Sequence, residues 1–257
     1  MTQIPRAVAL AAQAFAGTRS PAPSTFNQRL AVLSSFYTFA KKRGLLGGEN
    51  PIDLVERRPV QGYASAEALR ACDVKSRLAA IERATLEGQR DYAILAVALA
   101  IGRRVAELAA LRWRDLRIDG ERVRLHFART KGGKTIADIL PAGVSRALVG
   151  YLHTLYGAEL GDLAPDAPIW LRLDRAANGR EALTARSLER ISRQRLGVHF
   201  HGLRHTFART MEDSGAKVSE IQGRLGHSSL QTTGRYLAAL RSAENPHAEK
   251  VAELLGL

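Results

Sequence analysis

The run Asp91–Ile101 is apolar at every position after its first, and Gly102 closes it. A segment of this length with no polar face reads as a buried helix, and it is well short of the roughly 18–20 apolar residues that a membrane span needs. Such a helix must be covered by other elements. A chain of 257 residues can cover it within one large domain or two smaller ones. No longer apolar stretch occurs, so no membrane span is expected. The segment Arg6–Phe15 is followed by no clear cleavage site and is not read as a signal peptide. Cys72 is the lone cysteine, which permits neither an internal disulfide nor a Cys-based zinc site and fits a reducing cytoplasm.

Around that run the periodicity is mostly helical. Residues 5–16 form a short helical pattern, and Gly17–Ser24 breaks it. From Thr25 a longer helix is expected, with Phe26, Leu30, Leu33, Phe36 and Phe39 on one face, Lys41–Lys42–Arg43 in its last turn and Gly44 as its stop. Asn50–Pro51 begins a turn, and 57–71 reads as a linker. Further helices are expected over Val74–Ala84, Val105–Trp113, 142–156, 184–195, 202–214, 218–225, 229–238 and 246–255, with Gly215 and Gly226 at C-terminal caps. One stretch changes period. Val123, Leu125 and Phe127 alternate with Arg122, Arg124 and His126, the mark of a half-buried strand. Lys131–Gly132–Gly133–Lys134 is then a turn, and Thr135–Leu140 the partner strand. The expected fold is mainly α with a small β-hairpin or sheet, in a larger second unit behind a small helical first one.

Charge points to a polyanion. The formal net charge is +13, and of the 38 basic residues seven are Lys and 31 Arg. Arg offers planar, bidentate contacts to phosphate, although Arg-rich coding alone would also raise the balance. The stretch Asn178–Met211 holds seven Arg against Glu181 and Glu189, and Arg186, Arg190 and Arg193 recur at helical spacing, so one face of that helix is a candidate DNA-contacting surface.

The chemistry-bearing residues fall in boxes. Gly102–Arg103–Arg104–Val105–Ala106–Glu107–Leu108 lies where two helices meet. Lys131 stands at the hairpin tip. His201–Gly202–Leu203–Arg204 opens a helix with His201 and Arg204 on one face. Leu225–Gly226–His227 precedes Thr232–Thr233–Gly234–Arg235–Tyr236. Taken singly, each has an ordinary reading: Arg104 and Glu107 an ion pair within one helix, the lysines a solvated turn, Tyr236 a packed residue. His201 and His205 lie four apart but lack the Glu of a His-Glu-x-x-His metal motif.

Together, the order Arg…Lys…His-x-x-Arg…His…Tyr resembles the catalytic domain of the tyrosine recombinases, as in phage integrases and Xer recombinases. The resemblance covers about residues 73–240, and Thr25–Pro51 is similar to the last long helix of the family's core-binding domain. It implies a catalytic domain behind a small helical SAM-like domain: residues 1–56 as a shortened core-binding domain, 57–72 as linker, and 73–257 as catalytic domain with a tail at 237–257. It implies that Tyr236 is the nucleophile and that Arg104 and Arg204 clamp the scissile phosphate. Lys131, or Lys134, protonates the leaving oxygen, His201 moves the Tyr236 proton, His227 hydrogen-bonds a nonbridging oxygen, and Glu107 orients its neighbours. No metal, nucleotide or flavin cofactor is implied, since a phosphotyrosine stores the bond energy, and no Gly-x-x-x-x-Gly-Lys-Ser/Thr loop is present.

The implied activity is site-specific recombination or integration of double-stranded DNA in the cytoplasm, at the nucleoid. The protein would be a monomer when free and a tetramer when synapsed, with neither a membrane nor a small-molecule substrate involved. A nicking–closing enzyme of the type IB topoisomerase kind and a DNA-binding accessory protein are the alternatives. The family's first domain is usually longer than the 55 or so residues here, which puts complete strand exchange in question. The tail, with Val251, Leu254 and Leu255 as its apolar stripe, can pack on a neighbouring subunit or on its own domain.

Overall fold

The computed structural model describes residues 3–59, 68–127, 136–173, 181–225, 245 and 247–257. The chain divides into two compact units, Met1–Ser65 and Ala66–Leu257. Among the described residues no helix is long and apolar enough to cross a membrane.

In the first unit, α1 (Gln3–Gly17) and α2 (Pro23–Lys42) pack with a 3-10 turn at Pro51–Leu54. Ala9, Ala12 and Ala16 meet Phe26, Leu30, Ile52 and Val55 in a small core. Gly44 ends α2 as expected: its φ of 70° lets its own amide reach Lys41 and the Leu45 amide reach Ala40. The expected apolar face of α2 is partly corrected. The buried side runs through Phe26, Leu30, Leu33, Tyr37 and Ala40, whereas Phe36 and Phe39 lie one residue off that stripe and are 60% and 54% exposed. Asn27 pins the start of the following segment, accepting from the Arg58 amide at 2.9 Å and donating to its carbonyl at 2.8 Å.

The second unit is built on α4 (Leu86–Ile101), where every residue from Arg90 to Ile101 is buried. It is covered by α6 (Ala142–Tyr156), α7 (Ala185–Leu196), α8 (Phe200–Asp213) and α10 (Ala248–Leu255). Ahead of it, α3 (Ala71–Ala79) stops five residues sooner than its periodicity suggested, because 80–85 are needed to start α4. There the Thr85 hydroxyl accepts from the Gly88 amide at 3.1 Å. A β-carbon on Gly88 would sit 1.8 Å from the Glu82 carbonyl oxygen. Past α4, α5 (Val105–Ala109) is also shorter than expected, giving way to a 3-10 turn at Trp113–Asp115. Among the described residues α9 (Val218–Leu225) is followed next by α10; the helix expected over 229–238 and the cap at Gly226 lie outside them.

The sheet described has three antiparallel strands in the order β1 (Leu116–Asp119), β2 (Arg122–Phe127), β3 (Ile136–Ile139). Val123, Leu125 and Phe127 point inward, as their alternation required. The register sets Leu116 opposite Leu125, and Leu125 opposite Asp138. Ser145 of α6 fastens the sheet to the helices, accepting from the Val123 amide and donating to the Leu140 carbonyl. The C-terminal helix α10 packs on its own unit, against α3, α4, α6 and α8. Val251 and Leu255 are buried there, whereas Leu254 is 39% exposed.

Gly102 joins α4 to the candidate site. Its φ is 61°, and a β-carbon would lie 2.3 Å from Cδ1 of Phe207 on α8. Both the left-handed backbone and the close approach demand glycine. Gly102→Ala is therefore expected to destabilise the second unit by about 2–4 kcal/mol. Gly150→Ala, on the exposed side of α6 with nothing near its Cβ position, should stabilise it by about 0.5–1 kcal/mol. Urea denaturation of the two variants checks both signs; a Gly102→Ala protein as stable as the parent would contradict this account of the joint.

Candidate active site

Three chain segments converge on Arg204. The residue is buried, 4% exposed, on the first turns of α8. Nη1 donates to the Gly102 carbonyl at 2.8 Å, and Nη2 donates to the Leu225 carbonyl at the end of α9. Both partners are carbonyls at helix ends: Gly102 lies in the left-handed turn after α4, and Leu225 is the last residue of α9. Burial first, and then the nearby Arg104 guanidinium, push the Arg204 pKa down to about 10. It is still a cation at neutral pH, and its partners among the described residues are carbonyl dipoles rather than carboxylates.

Arg104 sits two residues past Gly102, at the N-cap of α5. Glu107, one turn on, accepts the Arg104 amide at 3.0 Å through Oε2 and the Arg104 guanidinium at 3.3 Å through Oε1. The Arg104 side chain is nonetheless 41% exposed. The i,i+3 ion pair anticipated for these two residues is present, and the same carboxylate also caps the helix, which fixes the backbone of Arg104 as well as its side chain.

His201 lies one turn before Arg204, at the surface, with its ring edge-on to His205 at 4.5 Å. Partial burial lowers its pKa, and the fields of Arg204 and Arg104 lower it further. The lowered pKa leaves the imidazole in its neutral form at neutral pH, the form that can accept a proton. The start of α8 is anchored from α7: Glu189 Oε2 accepts the Phe200 amide at 3.0 Å, while Oε1 takes His199 Nδ1 at 2.6 Å and Arg193 Nε at 3.3 Å. Partial burial opposes ionisation of Glu189, but these three donors outweigh it and hold its carboxyl below the usual range.

The structure thus brings Arg104, Glu107, His201 and Arg204 to one place. Lys131, Lys134, His227 and Tyr236 lie outside the described residues. The flanks of their segments are described: β2 ends at Phe127, β3 begins at Ile136, and α9 ends at Leu225, two residues before His227. On α7, Arg186, Arg190 and Arg193 are all exposed, opposite the buried Leu188, Ile191 and Leu196. They line one shallow groove with Thr184, Glu189 and Gln194. Arg193 is already engaged with Glu189.

Sequence reasoning passed over Asp138 and Arg224. Asp138 is buried on the inward face of β3 and accepts from both Arg103 and Arg224. The signal was its phase: Asp138 shares the parity of Leu140, and an acid at an inward strand position needs buried cations. Among the described residues no cluster of His, Cys, Asp and Glu could hold a metal ion.

Comparison with known proteins identifies the family. The profile of the phage integrase family matches residues 67–242. Tyrosine recombinase XerC of Bacillus pumilus is 31% identical over 217 residues, 82% of this chain and 69% of the relative. XerC of Myxococcus xanthus is 33% identical over 241 residues, 88% and 76% of the two chains. The crystal structure of the XerH site-specific recombinase bound to a palindromic difH substrate, a post-cleavage complex, superposes with a TM-score of 0.61 at 17% identity, over 98% of this chain and 72% of that one.

The two arginines repel a proton on His201, so removing one must make protonation easier. Arg104→Gln is expected to raise the His201 pKa, as read from the titration of its ring Cε1–H signal by NMR. In the parent protein the neutral ring persists below the ordinary value of 6.5. The stability this contributes is lost as pH falls from the unfolded value through the lower folded one. An unmoved or lowered pKa in Arg104→Gln would show that His201 is outside the field of Arg104.

Proposed function

We propose that this chain, which belongs to the phage integrase family, is a site-specific DNA recombinase that cuts and rejoins duplex DNA through a 3′-phosphotyrosine on Tyr236. The observation that carries the reading is the pairing of buried Arg204 with half-exposed Arg104 beside a neutral His201. A phosphodiester undergoing displacement spreads negative charge over its nonbridging oxygens, and two rigid guanidinium groups match that charge. The Tyr236 hydroxyl attacks phosphorus and its proton passes to His201. The P–O5′ bond breaks, and Lys131 gives a proton to the departing 5′-oxygen. Attack by a 5′-hydroxyl on the phosphotyrosine reverses these steps, so no external energy source is required. His227 donates to a nonbridging oxygen, and Glu107 keeps Arg104 in place. Strand exchange is carried out by a tetramer on two sites, assembled from free monomers on DNA.

The exposed face of α7 supplies duplex contacts. Arg186 and Arg190 have no ion pair among the described contacts, so each is free to neutralise a phosphate, whereas Arg193 must first leave Glu189. Arg186→Ala and Arg190→Ala should each flatten the dependence of log affinity on log salt by about 0.9, with Arg193→Ala changing it less. Binding measured at several salt concentrations checks this; an unchanged slope in all three variants would remove α7 from the interface.

The chemistry itself is tested by trapping. The protein is incubated with fragmented host DNA and denatured in detergent, and the attached DNA is sequenced, with Tyr236→Phe as control. An adduct that depends on Tyr236 and recurs at one sequence is expected. Equal recovery from both proteins would overturn the proposal.

A further inference from the structure

Asp138 has no role in the steps above, yet the site's cationic segments are gathered around it. The β2–β3 register puts it on the inward face of the sheet, 2% exposed. Oδ2 accepts from Arg103 Nε at 2.6 Å, and Oδ1 accepts from Arg224 Nη1 at 3.0 Å. Arg103 is itself buried, its guanidinium 5.3 Å from the centre of the Phe127 ring. The Arg224 side chain is 10% exposed.

The chain neighbours of these two arginines give the arrangement its meaning. Gly102 precedes Arg103 and Leu225 follows Arg224, and the carbonyls of Gly102 and Leu225 are the acceptors of Arg204. The dipeptides Gly102–Arg103 and Arg224–Leu225 are therefore each fastened twice, through a carbonyl to Arg204 and through a guanidinium to Asp138. Asp138 and Arg204 close the two ends of one bracket, and Arg104 is the next residue along the chain from it.

We propose that Asp138 is a positioning residue whose bracket with Arg103 and Arg224 fixes Arg104 and Arg204 in the spacing that grips the scissile phosphate. The inference rests on reading the two arginines as that clamp. A buried ion cluster is a poor device for stability, since well-packed apolar residues of similar size often serve as well or better. What the cluster supplies is direction. Two charge-assisted hydrogen bonds to one carboxylate hold both dipeptides in register, and an apolar trio would fill the same space without that constraint. Displacement of reacting groups on the ångström scale costs a large factor in rate.

The test uses the full chain and the DNA site recovered by trapping, with single-turnover adduct formation as readout. The triple variant Arg103→Leu/Asp138→Val/Arg224→Leu removes all three charges together, so no buried ion is left unpaired. It is expected to keep the parent melting temperature and DNA affinity while the cleavage rate at saturating DNA falls by about tenfold to a hundredfold. Most of that loss should be recovered when the scissile phosphate is replaced by a methylphosphonate, which lacks the charge the arginines neutralise. Loss of folding has no reason to be relieved by that substitution. Should the triple variant melt early, Asp138→Glu, which retains the anion and moves it by one methylene, is expected to show the same pattern. Parent-like cleavage, or an equal loss on both substrates, would overturn the proposal. If the parent protein forms no adduct, the assigned chemistry has failed and the inference falls with it, a result distinguishable because it appears before any substitution.

Discussion

A buried arginine held by two carbonyls is the constraint from which the site's geometry follows. Arg204 is removed from water, and its described hydrogen bonds go to Gly102 and Leu225. Carbonyl dipoles orient it and offset part of its desolvation without cancelling its charge. The price is that three chain segments must arrive together: the joint after α4, the start of α8 and the end of α9. Phe207, one turn beyond Arg204 on α8, fills the space above Gly102 so closely that a β-carbon there would lie 2.3 Å from its ring. The packing of α8 on α4 and the placement of Arg204 are thus one event.

Burial of α4 makes that event reproducible. A helix enclosed on every side has its end position set by packing along its whole length, so Gly102 and the arginines after it inherit a rigid origin. Glu189 does the equivalent for α8, tying its first amide to α7. The catalytic candidates are consequently presented from helix ends whose axes are fixed by core contacts, with short polar links setting the last ångström.

Much of this was legible in the residues, and the failures have physical causes. The limits of α6 and α9, the inward residues of β2 and the turn at Gly102 followed from period and from glycine chemistry. Helices over Val74–Ala84 and Val105–Trp113 were drawn too long because apolar spacing continues past the point where Thr85 and the Trp113–Asp115 turn redirect the chain. Strand β1 gave no clear signal, since only Leu116 of its four residues is buried. On α2, Phe36 and Phe39 satisfy an i,i+3 pattern yet sit beside the buried stripe, and spacing alone does not choose between adjacent stripes. The Arg104, Glu107, His201 and Arg204 grouping could be anticipated only through resemblance, because the contacts joining them run through backbone carbonyls that a side-chain pattern does not display. Asp138 and Arg224 were missed for a related reason: each becomes informative only when the sheet register and the end of α9 are known.

The placement of acids explains how a site so rich in arginine stays folded and still attracts an anion. Glu107 on α5, Asp138 on β3 and Glu189 on α7 each satisfy two or more donors beside the site's cations. Coulomb repulsion among Arg103, Arg104, Arg204 and Arg224 is relieved from the protein side, where the dielectric is low and a single carboxylate acts on several neighbours. The Arg104 guanidinium keeps its open side toward solvent, and Arg186 and Arg190 on α7 carry no described counter-ion. The net charge of +13 is in this sense unevenly balanced: among the described residues it is paired around Asp138 and Glu107 and without a described counter-ion at Arg186 and Arg190.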